Sequence, residues 1–462
     1  MLHSILILTA LQASTAQPMK PIALHPENPH YFLFRGKPTI LITSGEHYGA
    51  VLNLDFDYIP YLDELRVRSF NLTRLFTGAY VEPSGAFNIQ KNTLAPASGR
   101  FICPWARSST HGYANGGNKF DLNKWDDDYF RRLKDFCHQT SQRGIVVEVV
   151  LFCPFYGEEQ WDLSPLKVSN NVNGVGDVPR NESLTMKHPS LVAVQEAMAR
   201  KVVHELRDFD NIYYEVCNEP YFGGVTLDWQ NHIIATIVNA EADFTVKHLI
   251  AQNIANGSAK IDNPNPAVSI FNFHYASPDA VKLNYNLDKV IGDDETGFKG
   301  TDNLPYRAEG WHFLLAGGGV YDNLDYSFTV GQENGTFEFP SSQPGGGGPA
   351  LRSQFEILKD FLYSFDFIKM APDDSVIKGG IPSDATARAL AESGAAYAIY
   401  IQGGNQTNLT LDIPFGDYRA EWLNTRTGTI DRAQEVDHGG GGLTLESPRY
   451  SEDVALRLMR KK

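Results

Sequence analysis

From about residue 35 to residue 330, short apolar runs alternate with amphipathic stretches. Thr39–Thr43, Asn71–Phe76, Ile145–Phe152 and Ile212–Cys217 read as strands. So do Leu249–Gln252, Val268–Phe273, Lys289–Ile291 and Gly319–Tyr321. Several are apolar without alternation, the pattern of a parallel sheet buried on both faces. Between them, WDDDYFRRLKDFCHQTSQRG carries apolar residues at helical spacing and closes on Gly144. SLVAVQEAMARKVVHELRDF and LDWQNHIIATIVNAEADFTVKH repeat that spacing. Eight such repeats predict an α/β chain folded as a (β/α)8 TIM barrel over residues 20–371. A doubly wound open sheet is the alternative, but no Gly-rich phosphate loop follows the first strand.

After Pro372 the pattern changes. AAYAIYIQGG, NLTLDIPFGDYRAEWLN and LTLESPRYSEDVALRLM read as short strands with turns between them. They predict a small C-terminal antiparallel β-sandwich over residues 376–462. Its single Trp, Trp422, favours a structural buttress over a sugar-binding module. SSQPGGGGPA at 341–350 reads as a flexible insertion, and LRSQFEILKDFLYSFDFIK as the last barrel helix. Two loops after strands are long, 77–123 with Trp105 and Tyr113, and 154–188 with Tyr156 and Trp161. Both follow carboxyl ends of strands, where barrel active sites form.

Composition narrows the partners. The net charge of −15 disfavours nucleic acid and anionic membranes and suits a neutral ligand. No stretch after the N-terminus is apolar for about 18 residues, so no membrane span is expected. Residues 1–16 read as a signal peptide, with an apolar run from Ile5 to Leu11 and small residues Ala13, Ser14 and Ala16. The segment lacks Lys and Arg, so a buried strand is the competing reading. Export would make the protein secreted or periplasmic. Of the four cysteines, Cys153 and Cys217 read as core, and Cys103 with Cys137 as a possible disulfide. Asn181, Asn256 and Asn334 head Asn-x-Ser/Thr triplets.

The sharpest feature is NIYYEVCNEP at 211–220. Pro220 ends strand pairing, which puts Glu219 at the mouth of a barrel. Glycoside cleavage needs two carboxyl groups in different environments. KVIGDDETGF supplies the second, at Glu295 or its rival Asp293. Regular alternation puts Asp293 and Glu295 on one face and Asp294 on the other. By strand count the pair falls on strands four and seven.

These motifs resemble clan A glycoside hydrolases, the cellulase-like family 5 and neighbouring apiosidase-like families, over residues 25–370. Asn218, Glu219 and Glu295 match the signature, FNLTRLF resembles the second strand with Arg74, and FNFHYASP the sixth with His274 and Tyr275. The C-terminal region resembles a sandwich named for collagen binding in apiosidase-like relatives. The resemblance implies a retaining hydrolase of β-glycosidic bonds, with Glu219 as acid/base and Glu295 as nucleophile. It implies that Arg74 keeps Glu295 ionised and that Asn218 binds the sugar 2-hydroxyl. Two departures stand out. His274 and Tyr275 are adjacent, so only one faces the lumen of a regular strand. Strand eight lacks a Trp platform, leaving Tyr321 or Tyr326.

Glu46 and His47 follow the first strand and read either as sugar ligands or as a loop ion pair. Tyr156 and Trp161 are candidate stacking residues, and Trp311 reads as packing. Arg74 has a competing structural partner in Glu148. No HExxH, His-x-His or Gly-x-Ser-x-Gly occurs, so neither metal nor cofactor is expected. The expected partner is a carbohydrate and the expected state a monomer. A non-catalytic carbohydrate-binding barrel and a transglycosylase using the same carboxylates are the alternatives.

Overall fold

A computed structural model describes residues 20–461, so the signal-peptide expectation for 1–16 lies outside the described residues. Eight parallel strands form the central sheet: β1 Leu41–Gly45, β2 Leu72–Phe76, β3 Val146–Phe152 and β4 Ile212–Cys217. They continue as β5 Ile250–Asn256, β6 Ile270–His274, β7 Val290–Thr296 and β8 Val320–Leu324. β8 pairs with β1, and β2 to β8 pair in chain order. The barrel closes between β1 and β2 through a side chain. Asn71 accepts from Ile42 N at 2.9 Å and donates to Ile40 O at 2.9 Å.

Helices follow seven of the eight strands: α1 Tyr58–Val67, α2 Asp127–Gln142, α3 Pro189–Leu206 and α4 Leu227–Ala240, then α5 Pro278–Asn284, α6 Asn303–Leu315 and α7 Pro349–Tyr363. The link from β5 to β6 has none among the described residues, because Gly257, Pro264 and Pro266 interrupt it. α2 shows why the others form. Asp126 caps it by accepting from Asp128 N and Tyr129 N, and Asp127 and Asp128 face its positive end. Tyr129, Leu133, Phe136, Cys137 and Thr140 share its buried face, and Gly144 follows at φ +72. No helix among the described residues is long and apolar enough to cross a membrane.

The lumen is layered. Leu41, Leu72, Val146, Tyr213, Ile270, Val290 and Val320 pack with Phe32 into an apolar floor. One strand repeat further up, the period of two brings Thr43, Arg74, Glu148, Glu215 and Asn272 into the next layer, and Asp294, two repeats beyond Val290, reaches it from β7. All six are buried, so the site rests on a polar bed over an apolar floor.

Two expectations change, for the segment 341–350 and for the cysteines. The long loop after β2 carries an antiparallel hairpin, Trp105–His111 paired with Asn118–Trp125. Tyr113 Oη donates to Leu163 O at 2.8 Å, tying the two long loops together. The segment 341–350 is packed against the barrel. A Cβ at Gly345 would stand 2.1 Å from Tyr326, so only Gly fits that approach. Cys103 and Cys137 are both free and buried.

The C-terminal strands form a six-stranded and a three-stranded antiparallel sheet. Ile399, Leu409, Leu445, Trp422 and Leu456 share the core of this sandwich. It seats on α6, where Arg307 donates to Asp453 at 2.8 Å and Trp311 stacks on Tyr400 at 5.1 Å. Trp422 is fully buried, in keeping with a buttress.

Candidate active site

The site forms where β4, β6 and β7 end. β4 runs out at Cys217, and Asn218 N still bonds to Phe152 O at 2.9 Å. Glu219 follows with φ +35, a left-handed conformation rare outside glycine. Tyr48, Tyr275, Phe87 and Phe298 also have positive φ and also line the cleft. Unusual backbone is thus concentrated around one cavity, as is common at functional sites.

On β7 the ladder slips. Phe273 of β6 pairs with Asp293, and the next residue, His274, pairs with Glu295. The extra residue is a bulge, and it re-aims the strand end. Up to that point the alternation is regular and Asp294 faces the lumen. The expectation that Asp293 shares the face of Glu295 therefore fails. Asp293 is buried away from the cleft, near Glu309, and both its carboxylate oxygens lack partners. Burial and then Glu309 push its carboxyl well above the ordinary range.

Glu219 and Glu295 meet across His274. Its Nδ1 lies 3.2 Å from Glu219 Oε1 and 3.4 Å from Glu295 Oε1. These three residues each bring one polar atom within 4.8 Å of the other two. The two carboxylates have different company. Glu295 accepts from Tyr275 Oη at 2.7 Å and from Tyr48 Oη at 2.9 Å, and Arg74 Nη1 stands at 3.4 Å. Glu219 accepts from Tyr156 Oη at 2.5 Å and Tyr221 Oη at 3.2 Å and has no guanidinium. Burial opposes charge on Glu295, but His274 and then Arg74 outweigh it and hold the carboxyl far below its usual range. Burial likewise opposes charge on His274, but Glu295 and Asp294 raise its pKa well above the ordinary value.

Arg74 is the hub beneath. It reaches Glu215 at 2.6 Å, Asn218 Oδ1 at 2.8 Å, Asp294 at 3.3 Å and Glu148 at 3.8 Å. Asn272 Nδ2 donates to Glu148, Glu215 and Asp294 at 2.7, 2.9 and 2.9 Å. Those three carboxylates stand close enough to share a cation, and Arg74 supplies that charge. Burial, then Glu215, raises Glu148, while burial alone leads in raising Asp294. Glu215 is lowered, because Arg74 overcomes its burial. Arg74 and His274 thus stand against Glu215 and Glu295, the two carboxyls of this group whose pKa is held low.

The remaining candidates divide. Asn218, Tyr156, Tyr275 and His47 line the cavity with the two glutamates. Tyr275 and His274 both reach Glu295, because the left-handed backbone at Tyr275 removes the alternation that would have turned one away. Arg74 and His274 lie beneath and contact the glutamates, leaving no surface for a sugar. Three others do not belong to the cavity. Tyr321 has the outward parity of β8, donates to Tyr306 O at 2.6 Å and packs on Phe355. Trp161 is core, 4.7 Å from Phe155. Glu46 is buried, and its oxygens accept from Gly49 N and Ala50 N, both at 3.0 Å. Burial pushes its carboxyl up to about 7. Tyr326, the other strand-eight candidate, borders His47 and Phe298 at the rim.

Several functional positions escaped the sequence reading. Glu82 lines the cavity 3.5 Å from His47 and accepts from Tyr80 Oη at 3.0 Å. Nothing in VEPSG marks it, since it is brought in by the loop's path. Tyr48 and Tyr221 sit beside residues already singled out, and adjacency was the available signal.

This arrangement of strands and sandwich has counterparts among solved structures. The chain shares its fold with glycoside hydrolases. One structure described as a glycoside hydrolase has a TM-score of 0.64 at 15% identity, covering 96% of this chain and 97% of that one. A family 5 glycoside hydrolase from Bacteroides vulgatus ATCC 8482 gives 0.64 at 15%, covering 95% and 93%. A family 30 subfamily 8 xylanase from Clostridium acetobutylicum gives 0.50 at 12%, covering 92% and 96%. At these identities the likeness is one of fold. No family model matches the sequence, and no curated protein matches it.

Proposed function

We propose that this protein is a retaining glycoside hydrolase that cleaves β-glycosidic bonds. The observation that carries the reading is the approach of Glu219 and Glu295 across His274, with oxygens within 4.8 Å. Retaining enzymes hold their carboxyls about 5–5.5 Å apart, and inverting ones about 6.5–9.5 Å. The short separation favours the first class. It gives no support to a non-catalytic barrel.

The unequal partners support a division of roles. Glu295, held ionised by His274 and Arg74, attacks the anomeric carbon. The bond to the leaving oxygen breaks as Glu219 gives that oxygen a proton, and a glycosyl ester on Glu295 remains. Water then enters, Glu219 takes its proton, and the oxygen attacks the anomeric carbon to free Glu295. Asn218, fixed by Arg74 and by its own bond to Tyr156 Oη at 2.9 Å, is placed to bind a sugar hydroxyl. Tyr275 and Tyr48 orient the nucleophile. We also propose export, on the strength of the apolar segment Ile5–Leu11.

Glu219→Gln and Glu295→Gln test the assignment. Each should abolish hydrolysis of any glycoside the wild type cuts, with the fold intact by circular dichroism. Undiminished turnover in either variant would overturn it.

A further inference from the structure

The walls around the two glutamates are joined to one another. On one side Tyr156 contacts Tyr80 at 6.1 Å, Tyr80 contacts Phe76 at 6.0 Å, and Phe76 stacks on Tyr48 at 5.0 Å. Tyr48 continues to His47 at 5.3 Å and His47 to Tyr326 at 6.1 Å. Tyr326 meets Phe298 at 6.4 Å, and Phe298 meets Tyr275 at 6.3 Å. Back at Tyr156, Phe222 stands at 5.7 Å and leads to Tyr221 at 5.0 Å. Among the described residues this run of aromatic contacts ends at Tyr221 and at Tyr275, with no contact joining the two.

The part of the lining formed by Glu82 and Leu94 is held by main chain. Glu82 N bonds to Leu94 O at 2.9 Å, and Asn53 Nδ2 bonds to Thr93 O at 3.0 Å. Gly49 lies so close beneath that a Cβ there would meet Thr93 O at 2.2 Å. Nothing larger than hydrogen fits between Gly49 and Thr93, so this wall packs directly on the segment after β1. The cavity holds about 230 Å³, less than the ~300–1,000 Å³ of pockets that enclose drug-sized ligands. It is a well for one sugar ring, where a groove would hold several.

The gap between Tyr221 and Tyr275 lies on the side of the acid. Tyr221 Oη bonds to both Glu219 and Asn256 there, so a leaving group protonated by Glu219 exits through it. Phe222 and Phe298, 43% and 44% exposed, flank the mouth as faces for the departing group. The lining carries Glu82, Glu219 and Glu295 with no Lys or Arg, and His47 is paired to Glu82. An acidic sugar would meet like charge.

Building on the hydrolase reading, we infer that the enzyme is exo-acting and removes a single neutral sugar from the non-reducing end of its substrate. The terminal ring occupies the well against Glu82, His47 and Leu94, and the rest of the molecule stays outside the Tyr221–Tyr275 opening.

The full-length chain can be tested on 4-nitrophenyl β-glycosides of neutral hexoses and pentoses, on the matching β-linked trisaccharides, and on 4-nitrophenyl β-glucuronide. Cleaved monoglycosides should release nitrophenol without delay. Their trisaccharides should release monosaccharide first and nitrophenol only after a lag. The glucuronide should be cut at least about tenfold more slowly than the best neutral glycoside. Early release of a disaccharide or an intact trisaccharide would overturn the one-ring well while leaving the hydrolase reading standing. Equal cleavage of the glucuronide would overturn the neutral-sugar assignment. Cleavage of none of the probes would overturn the hydrolase reading and this inference with it.

Discussion

Tyr275 donates its hydroxyl to Glu295 at 2.7 Å from a backbone turned to φ +50. That turn is what lets Tyr275 and its neighbour His274 serve the same carboxylate. A hydrogen bond to a charged group is worth about 1.5–3 kcal/mol. Tyr275→Phe should therefore lower kcat by roughly 10- to 100-fold with little change in thermal midpoint. Steady-state kinetics on any cleaved glycoside would check this, and an unaltered kcat would remove Tyr275 from the nucleophile's support.

Arg74 has two jobs at once. It lowers the carboxyl of Glu295 and compensates Glu215, Asp294 and Glu148. Arg74→Met leaves buried charge unpaired, at a cost of about 3–5 kcal/mol in denaturant unfolding. The nucleophile must be ionised to attack. Losing the cation raises its pKa, so the acidic limb of the kcat/KM profile should move to higher pH. A limb that stays in place would mean that His274 alone sets the charge of Glu295.

Glu46 links pH to stability rather than to chemistry. Its carboxyl is raised from an ordinary 4.5 to about 7 by burial. A raised pKa contributes stability that is fully present below pH 4.5 and is lost as pH rises through 7. The thermal midpoint should fall across that window, and Glu46→Gln should flatten the fall. Scanning calorimetry at several pH values measures the slope; identical slopes in both proteins would contradict the assignment.

The sandwich is predicted to matter for stability and not for substrate. Asp453 accepts from Arg307 and from Tyr400 Oη at 2.7 Å, all three buried. Asp453→Ala removes the buried partner of Arg307 and Tyr400 while Glu452 Oε2 stays 2.9 Å from the guanidinium, and should cost about 1.5–3 kcal/mol. KM should not change, because neither residue lines the cavity. A raised KM with an unaltered midpoint would give this region a role in binding.

The barrel was legible in the sequence because its strands are continuous apolar runs, and Ile212–Cys217 matches β4 end to end. Glu219 was legible because Pro220 fixes where β4 must stop. Strand β7 was read too short, since Asp293, Asp294 and Glu295 look like a loop although they lie within the buried strand. The bulge there left no mark in composition, so Asp293 looked equivalent to Glu295. Tyr321 and Trp161 were misplaced because aromatic identity does not reveal which face a side chain takes. Glu82 was invisible for a different reason: it reaches the cavity through a long loop whose path depends on contacts with Asn53 and Gly49.

The central claim is that Glu295 forms a covalent glycosyl intermediate. Reaction with an activated 2-deoxy-2-fluoro glycoside of a cleaved sugar, followed by peptide mapping by mass spectrometry, tests it most directly. The account predicts one adduct, on Glu295, absent from Glu295→Gln. An adduct on Glu219 or Asp293, or no adduct together with a product of inverted configuration, would contradict it.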